Sequence, residues 1–190
     1  KWFGDSKVVD EQGKPLVVYH GTPKFGFSEF KSKNKAGQDL GFGIHFSESP
    51  TFAEVYERGG KNSGTYEVYL SISNPLDLIT DYGWVKEGTA EHKLALALLK
   101  GTGRELHRET DPDGNKVYSL RVAIESVSPK KAERVIRSLG YDGIIYEAQN
   151  RTMISPNTYR AGESSRSYIA FKPTQIKSVY NRGTWDKTNP

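Results

Sequence analysis

The chain carries four histidines and no cysteine, and two of the histidines stand where backbone and side chain could act together. His20 closes the apolar run Leu16-Val17-Val18-Tyr19 and is followed at once by Gly21-Thr22-Pro23. A glycine at that place lets the backbone approach a ligand closely, and the peptide N–H and C=O freed there are strong pairing groups. His45 stands in Ile44-His45-Phe46-Ser47, with Gly41 and Gly43 just before it. An imidazole near neutrality can donate, accept, move a proton or ligate a metal. Two strand histidines would suit a metal, yet no third ligand falls at a compatible spacing, so no metal site is expected. Satisfied core imidazoles are the alternative reading of both. The absence of cysteine also removes disulfides, zinc ribbons and thiol nucleophiles. His92 and His107 lie in the middle of the chain and read as solvated or incidental.

These residues need elements to hold them. Residues 16–20 read as a buried strand stopped by the Gly-Thr-Pro turn, and residues 43–47 as a second strand. Residues 31–43 are polar, without period, and read as a loop. Ser49 is a suitable N-cap and Pro50 a suitable first helical residue, with Phe52, Ala53 and Tyr56 on one face. Residues 65–72 read as a strand closed by Asn74-Pro75, and 92–100 as a helix on intrinsic propensity. Asp111-Pro112-Asp113-Gly114-Asn115 predicts a turn between hairpin arms within 104–120. Ser128-Pro129 opens a helix with Ala132, Val135, Ile136 and Leu139 on one face, terminated by Gly140. Residues 143–146 and 167–172 read as strands, and the polar stretch 150–166 as a loop. Short strands interleaved with a few helices, without regular βαβ alternation, point to the α+β class.

Composition sets the outer bounds. The length of 190 residues suits one domain, and aromatics at 12% supply a core despite a mean hydropathy of −0.65. No apolar run approaches the roughly 20 residues of a membrane-spanning helix, and no signal-peptide segment is evident, so the expected setting is cytoplasmic. A net charge of +4 permits a polyanionic partner without demanding one. Because the chain starts at Lys1, the expectation is a single domain over 1–190, cut from a longer protein.

In order along the chain, Tyr19-His20-Gly21-Thr22, Gly41-Phe42-Gly43-Ile44-His45-Phe46-Ser47 and Ala53-Glu54-Val55-Tyr56 resemble the NAD-cleaving core of the ADP-ribosyltransferases. The similarity is to the branch of diphtheria toxin and the poly(ADP-ribose) polymerases. The flanks Trp2 to Asp10, Tyr141-Asp142-Gly143-Ile144-Ile145, Phe171 to Ser178 and Asn181 to Asp186 resemble, more narrowly, the transferase domains of phage and mobile-element polyvalent proteins. The resemblance implies an α+β fold of two small sheets around an NAD cleft, with helices outside. It implies NAD+ as co-substrate and no metal. His20 would bond a ribose hydroxyl, and Gly21 would pair its backbone with the nicotinamide amide. Tyr56, eleven residues after His45, would stack on the nicotinamide ring. His45, usually Tyr in this branch, would form the second wall; Thr22, Gly43, Phe46, Ser47 and Gln175 complete the expected NAD+ contacts.

The family's catalytic Glu falls at Ser167, immediately before Tyr168-Ile169-Ala170-Phe171, with Gln175 eight residues on. A serine there holds a hydroxyl but supplies no charge and is a poor base, so transfer of a single ADP-ribose is expected. Glu163 or Glu147 could reach in from nearby. The expected activity is mono-ADP-ribosylation of a protein or nucleic-acid acceptor by a phage or bacterial effector, with His20, His45 and Ser167 as catalytic positions and a monomer favoured. The alternatives are a degenerate domain that binds NAD+ or ADP-ribose without turnover, and an RNA-directed transferase or 2'-phosphotransferase-like enzyme.

Overall fold

The computed structural model describes residues 2–32, 40–58, 60–79, 83–155 and 158–181, with the backbone alone described at 150–155 and 158–161. Ten strands and four helices follow in chain order among them: β1 (Val18–Thr22), β2 (Ile44–Ser47), α1 (Pro50–Glu54), β3 (Gly64–Leu70), β4 (Pro75–Asp77), β5 (Trp84–Lys86), α2 (Ala90–Leu99), β6 (Arg108–Thr110), β7 (Lys116–Ser119), α3 (Leu120–Glu125), α4 (Pro129–Ser138), β8 (Gly143–Ser155), β9 (Thr158–Ala170) and β10 (Ile176–Ser178). They build an α+β molecule with a seven-stranded sheet of order β10-β3-β1-β2-β9-β8-β4 and a three-stranded sheet of order β5-β7-β6. All pairs in the large sheet are antiparallel except β4 with β8.

The large sheet is nearly divided at its centre. β1 is zipped to β3 from Val18 opposite Val68 to Thr22 opposite Gly64, and β2 to β9 from Ile44 opposite Ala170 to Ser47 opposite Ser167. Between β1 and β2, among the described residues, the one registered pair is Tyr19 with Ser47. The halves therefore splay where β1 reaches His20 and Gly21. Each face of the sheet has its own core, since alternate residues of a strand point to opposite faces. Ile144, Tyr146, Ala148 and Ile169 pack with Phe42, Phe52 and the buried sides of α2, α3 and α4. Val18, Ile44, Phe46, Val68, Leu70, Tyr168 and Ala170 form the other core.

The two helices opened by Ser-Pro pairs form where their caps predict, and the one expected over 92–100 starts earlier, at Ala90, capped by Thr89. Ser49 Oγ accepts from Phe52 N at 3.2 Å, Thr89 Oγ1 from His92 N at 3.1 Å and Ser128 Oγ from Lys131 N at 3.3 Å. α1 is short and passes into a 3-10 turn over Val55–Glu57. The hairpin about Asp111–Asn115 also forms, as β6 and β7.

Four expectations need correction. β1 does not stop at Gly21 but continues through Thr22, because β3 supplies partners for both residues. Residues 150–166 are not a loop: their described part belongs to the two 13-residue strands of a β8–β9 hairpin. The two arms satisfy each other's backbone, so pairing persists where the sequence shows no apolar alternation. The strand expected to reach residue 72 ends at Leu70, since Ser71 N turns to Gln175 O and Ile72 O receives Lys7 N. His92 is buried rather than solvated; its Nδ1 accepts from Gly88 N at 3.1 Å and its ring lies 4.3 Å from that of Tyr118. Residues 33–39 of the expected loop and 182–186 of the last motif lie outside the described residues.

Candidate active site

His20 stands at the splay. Its side chain lies on the face of Phe46 and Tyr66, and its Nδ1 is 2.7 Å from the carbonyl oxygen of His45 on the strand that has parted from β1. A carbonyl only accepts, so Nδ1 carries the proton and, in the neutral ring, Nε2 is left as an acceptor. Burial holds the pKa of His20 below its ordinary value, against the opposing pull of the His45 carbonyl. The ring thus offers an acceptor to a hydroxyl. The rings of Phe30 and Phe46 lie 5.3 and 5.5 Å away, Phe30 edge-on.

His45 has the complementary state. Its Nε2 donates to Phe42 O at 3.0 Å and its Nδ1 accepts from Tyr146 Oη at 2.9 Å. Burial drives its pKa down to about 4; the Phe42 carbonyl pulls upward and the neighbouring His20 pushes further down. Both ring nitrogens are committed, so His45 can touch a ligand through a nitrogen only by giving up a bond. Of the two readings left open for it, the geometry is that of a satisfied imidazole.

Gly21 is required by packing as well. A Cβ there would lie 1.8 Å from the carbonyl oxygen of Ala53, so α1 rests directly on the β1 backbone. Gly43 has φ +76°, and a Cβ there would meet Ile169 Cγ2 at 2.2 Å. Beyond Ala53, the 3-10 turn carries Tyr56, 49% exposed, with its ring 6.2 Å from that of Phe52. The next residue, Glu57, accepts from Thr65 Oγ1 at 2.6 Å, and Thr65 faces Gly21 across β1 and β3. Thr22 is buried and folds its hydroxyl back to accept from Lys24 N at 3.2 Å. Phe46 is a core residue.

The hydroxyls gather on the face of β2 and β9 beneath the start of α1. Ser47 Oγ and Ser165 Oγ are 2.7 Å apart, and both accept from Ser49 N. Ser167 is only 2% exposed, and its Oγ donates to Ser165 O at 3.2 Å. Glu163, two and four residues before these serines and therefore on their face, is exposed and accepts from Ser49 Oγ at 2.7 Å and from Thr51 Oγ1 at 3.0 Å. Glu147 is opposite Arg166, on the other face. Gln175 accepts from Phe171 N and Lys172 N and donates to Ser71 O and Asp142 O. Its amide is a clamp on three chain segments, with no polar atom left over for a ligand.

Tyr146 and the aromatic wall of Phe27, Phe30 and Tyr66 escaped the sequence reading. Their signal was aromatic type alone, and aromatic type does not distinguish a strand residue in the core from one buttressing a site. Among the described residues there is no group of three or more His, Cys, Asp or Glu placed to hold a metal. What the site offers is an acceptor imidazole, an exposed phenol ring and a hydroxyl-held carboxylate. Such groups suit a ligand that combines hydroxyls with a planar cation, and a carboxylate can stabilise developing positive charge or take a proton.

The family model described as ADP-Ribosyltransferase in polyvalent proteins matches residues 10–185. The comparisons with curated proteins and with solved structures give no match.

Proposed function

The chain belongs to the ADP-ribosyltransferases of polyvalent proteins, and from that premise we propose that it is an NAD+-dependent mono-ADP-ribosyltransferase that modifies a protein or nucleic-acid acceptor as a phage or bacterial effector. The observation that carries this reading is the splay of β1 from β2, bridged by the His20–His45 bond that leaves Nε2 of His20 as an acceptor. A ribose hydroxyl of NAD+ donates to that nitrogen, Gly21 offers its backbone beside it, and the exposed ring of Tyr56 stacks on the nicotinamide. Stacking a pyridinium on a phenol is worth about 0.5–2 kcal/mol, enough to orient the leaving group. The bond from ribose C1' to the nicotinamide nitrogen breaks, and its electron pair neutralises the departing ring. The acceptor then bonds to C1' and loses a proton. Because nicotinamide leaves neutral, no metal is required to stabilise it. His45 acts here through His20, by presenting its carbonyl, rather than through its own ring.

Nicotinamide release from NAD+ by the purified chain tests the reading. His20→Ala is expected to lower it roughly a hundredfold; equal release by both proteins would overturn it. Labelled NAD+ offered with total protein or total RNA then identifies the acceptor class. The buried, uncharged Ser167 favours a second reading, a domain that binds NAD+ without turnover. That reading gains if calorimetry shows NAD+ binding while no nicotinamide is released.

A further inference from the structure

Cleavage at a cationic pyridinium leaves positive charge at the ribosyl carbon, and the attacking oxygen has a proton to lose. Both steps are helped by a carboxylate. Position 167 supplies none, and its serine is buried with its hydroxyl spent on Ser165 O. Glu147 is on the face away from Ser165, Ser167 and α1, and Glu48 is bound by Tyr168 Oη and lies 3.9 Å from Arg166. Glu57 is held by Thr65 Oγ1, whereas Glu163 shares the face of Ser165 and Ser167, is open to solvent, and has both oxygens held by hydroxyls. Thr51, which holds it, is two residues before Ala53 in α1, about 3 Å along the helix axis, and the Ala53 carbonyl lies against Gly21. One short helix thus ties this carboxylate to the His20–Gly21 step.

We propose that Glu163 is the acceptor-side base of the site, an inference that rests on the transferase reading above. As the C1'–N bond breaks and nicotinamide leaves with the electron pair, the oxygen of water or acceptor bonds to C1' and passes its proton to a Glu163 carboxylate oxygen. The carboxylate is regenerated when that proton goes to solvent. Its position at the rim, rather than on the closed floor at Ser167, matches a role toward the incoming nucleophile.

Glu163→Gln keeps an oxygen for Ser49 and Thr51 but removes the base. Expected is a fall in kcat for nicotinamide release of roughly a hundredfold, with KM for NAD+ and Tm nearly unchanged. Sodium azide, a nucleophile with no proton to lose, should then recover at least about tenfold of the loss and give an ADP-ribosyl azide by mass spectrometry. Glu147→Gln should behave as wild type. Release by Glu163→Gln within about threefold of wild type, a loss that azide leaves in place, or the same azide-sensitive loss in Glu57→Gln instead would each overturn the proposal. A wild-type chain inert toward NAD+ would bring down the transferase reading itself, a result distinct from any of these.

Discussion

His20 and His45 are both kept neutral by burial, yet they hold their protons on opposite nitrogens. The reason is one carbonyl at each: His45 O captures Nδ1 of His20, and Phe42 O captures Nε2 of His45. Burial of His20 depends on the segment after β1. Tyr66, directly opposite His20, accepts from Gly26 N at 2.8 Å and donates to Phe27 O at 2.9 Å. That pins Phe27 and Phe30 edge-on over the imidazole. Tyr66→Phe removes both bonds and keeps the ring. The segment should loosen, water should reach His20, and its pKa should rise toward 6.5 in an NMR titration. An unchanged titration would show that the segment is held by other contacts.

Among the elements, α1 carries the most for its five residues. It caps itself on Ser49, holds Glu163 at its first turn and ends on the backbone of Gly21. Its start was legible in the Ser-Pro pair, because a capping hydroxyl and a proline at the first helical position act through local geometry alone. Its landing on Gly21 was not, since residues 21 and 53 meet only when β1 and α1 pack. Gly21→Ala sets a methyl group against a carbonyl that cannot retreat without lifting the helix. A loss of about 1–3 kcal/mol is expected, read as a Tm lower by several degrees. A Tm equal to wild type would mean that α1 shifts freely. The far part of the β8–β9 hairpin is the opposite case: residues 150–166 lack apolar alternation, so only mutual pairing marks their described part as strand.

At the scale of the molecule, neutral buried imidazoles make stability depend on pH. Unfolded His45 takes up a proton near pH 6.5, and the folded chain resists until about pH 4. Between those values the unfolded state binds more protons, so stability falls as pH falls, by an amount on the order of 2–3 kcal/mol from this residue. His20 adds in the same direction. Above pH 6.5 neither contributes a slope. Urea unfolding at pH 7 and pH 4.5 should show a smaller decline for His45→Gln than for wild type, and equal declines would contradict the assignment. No helix among the described residues is long and apolar enough to cross a membrane.

Read alone, the sequence determined the α+β class, the capped helix starts, the Asp111–Asn115 turn and the order of residues by which the family is known. Each of these is written in neighbours a few positions apart. Tertiary structure decided which nitrogen of His20 keeps its proton, what His45 Nδ1 accepts from, which face each carboxylate occupies, and that Gly21 makes room for a helix. Those outcomes turn on partners 25, 32, 101 or 112 positions away, and strand register, not residue type, selects them.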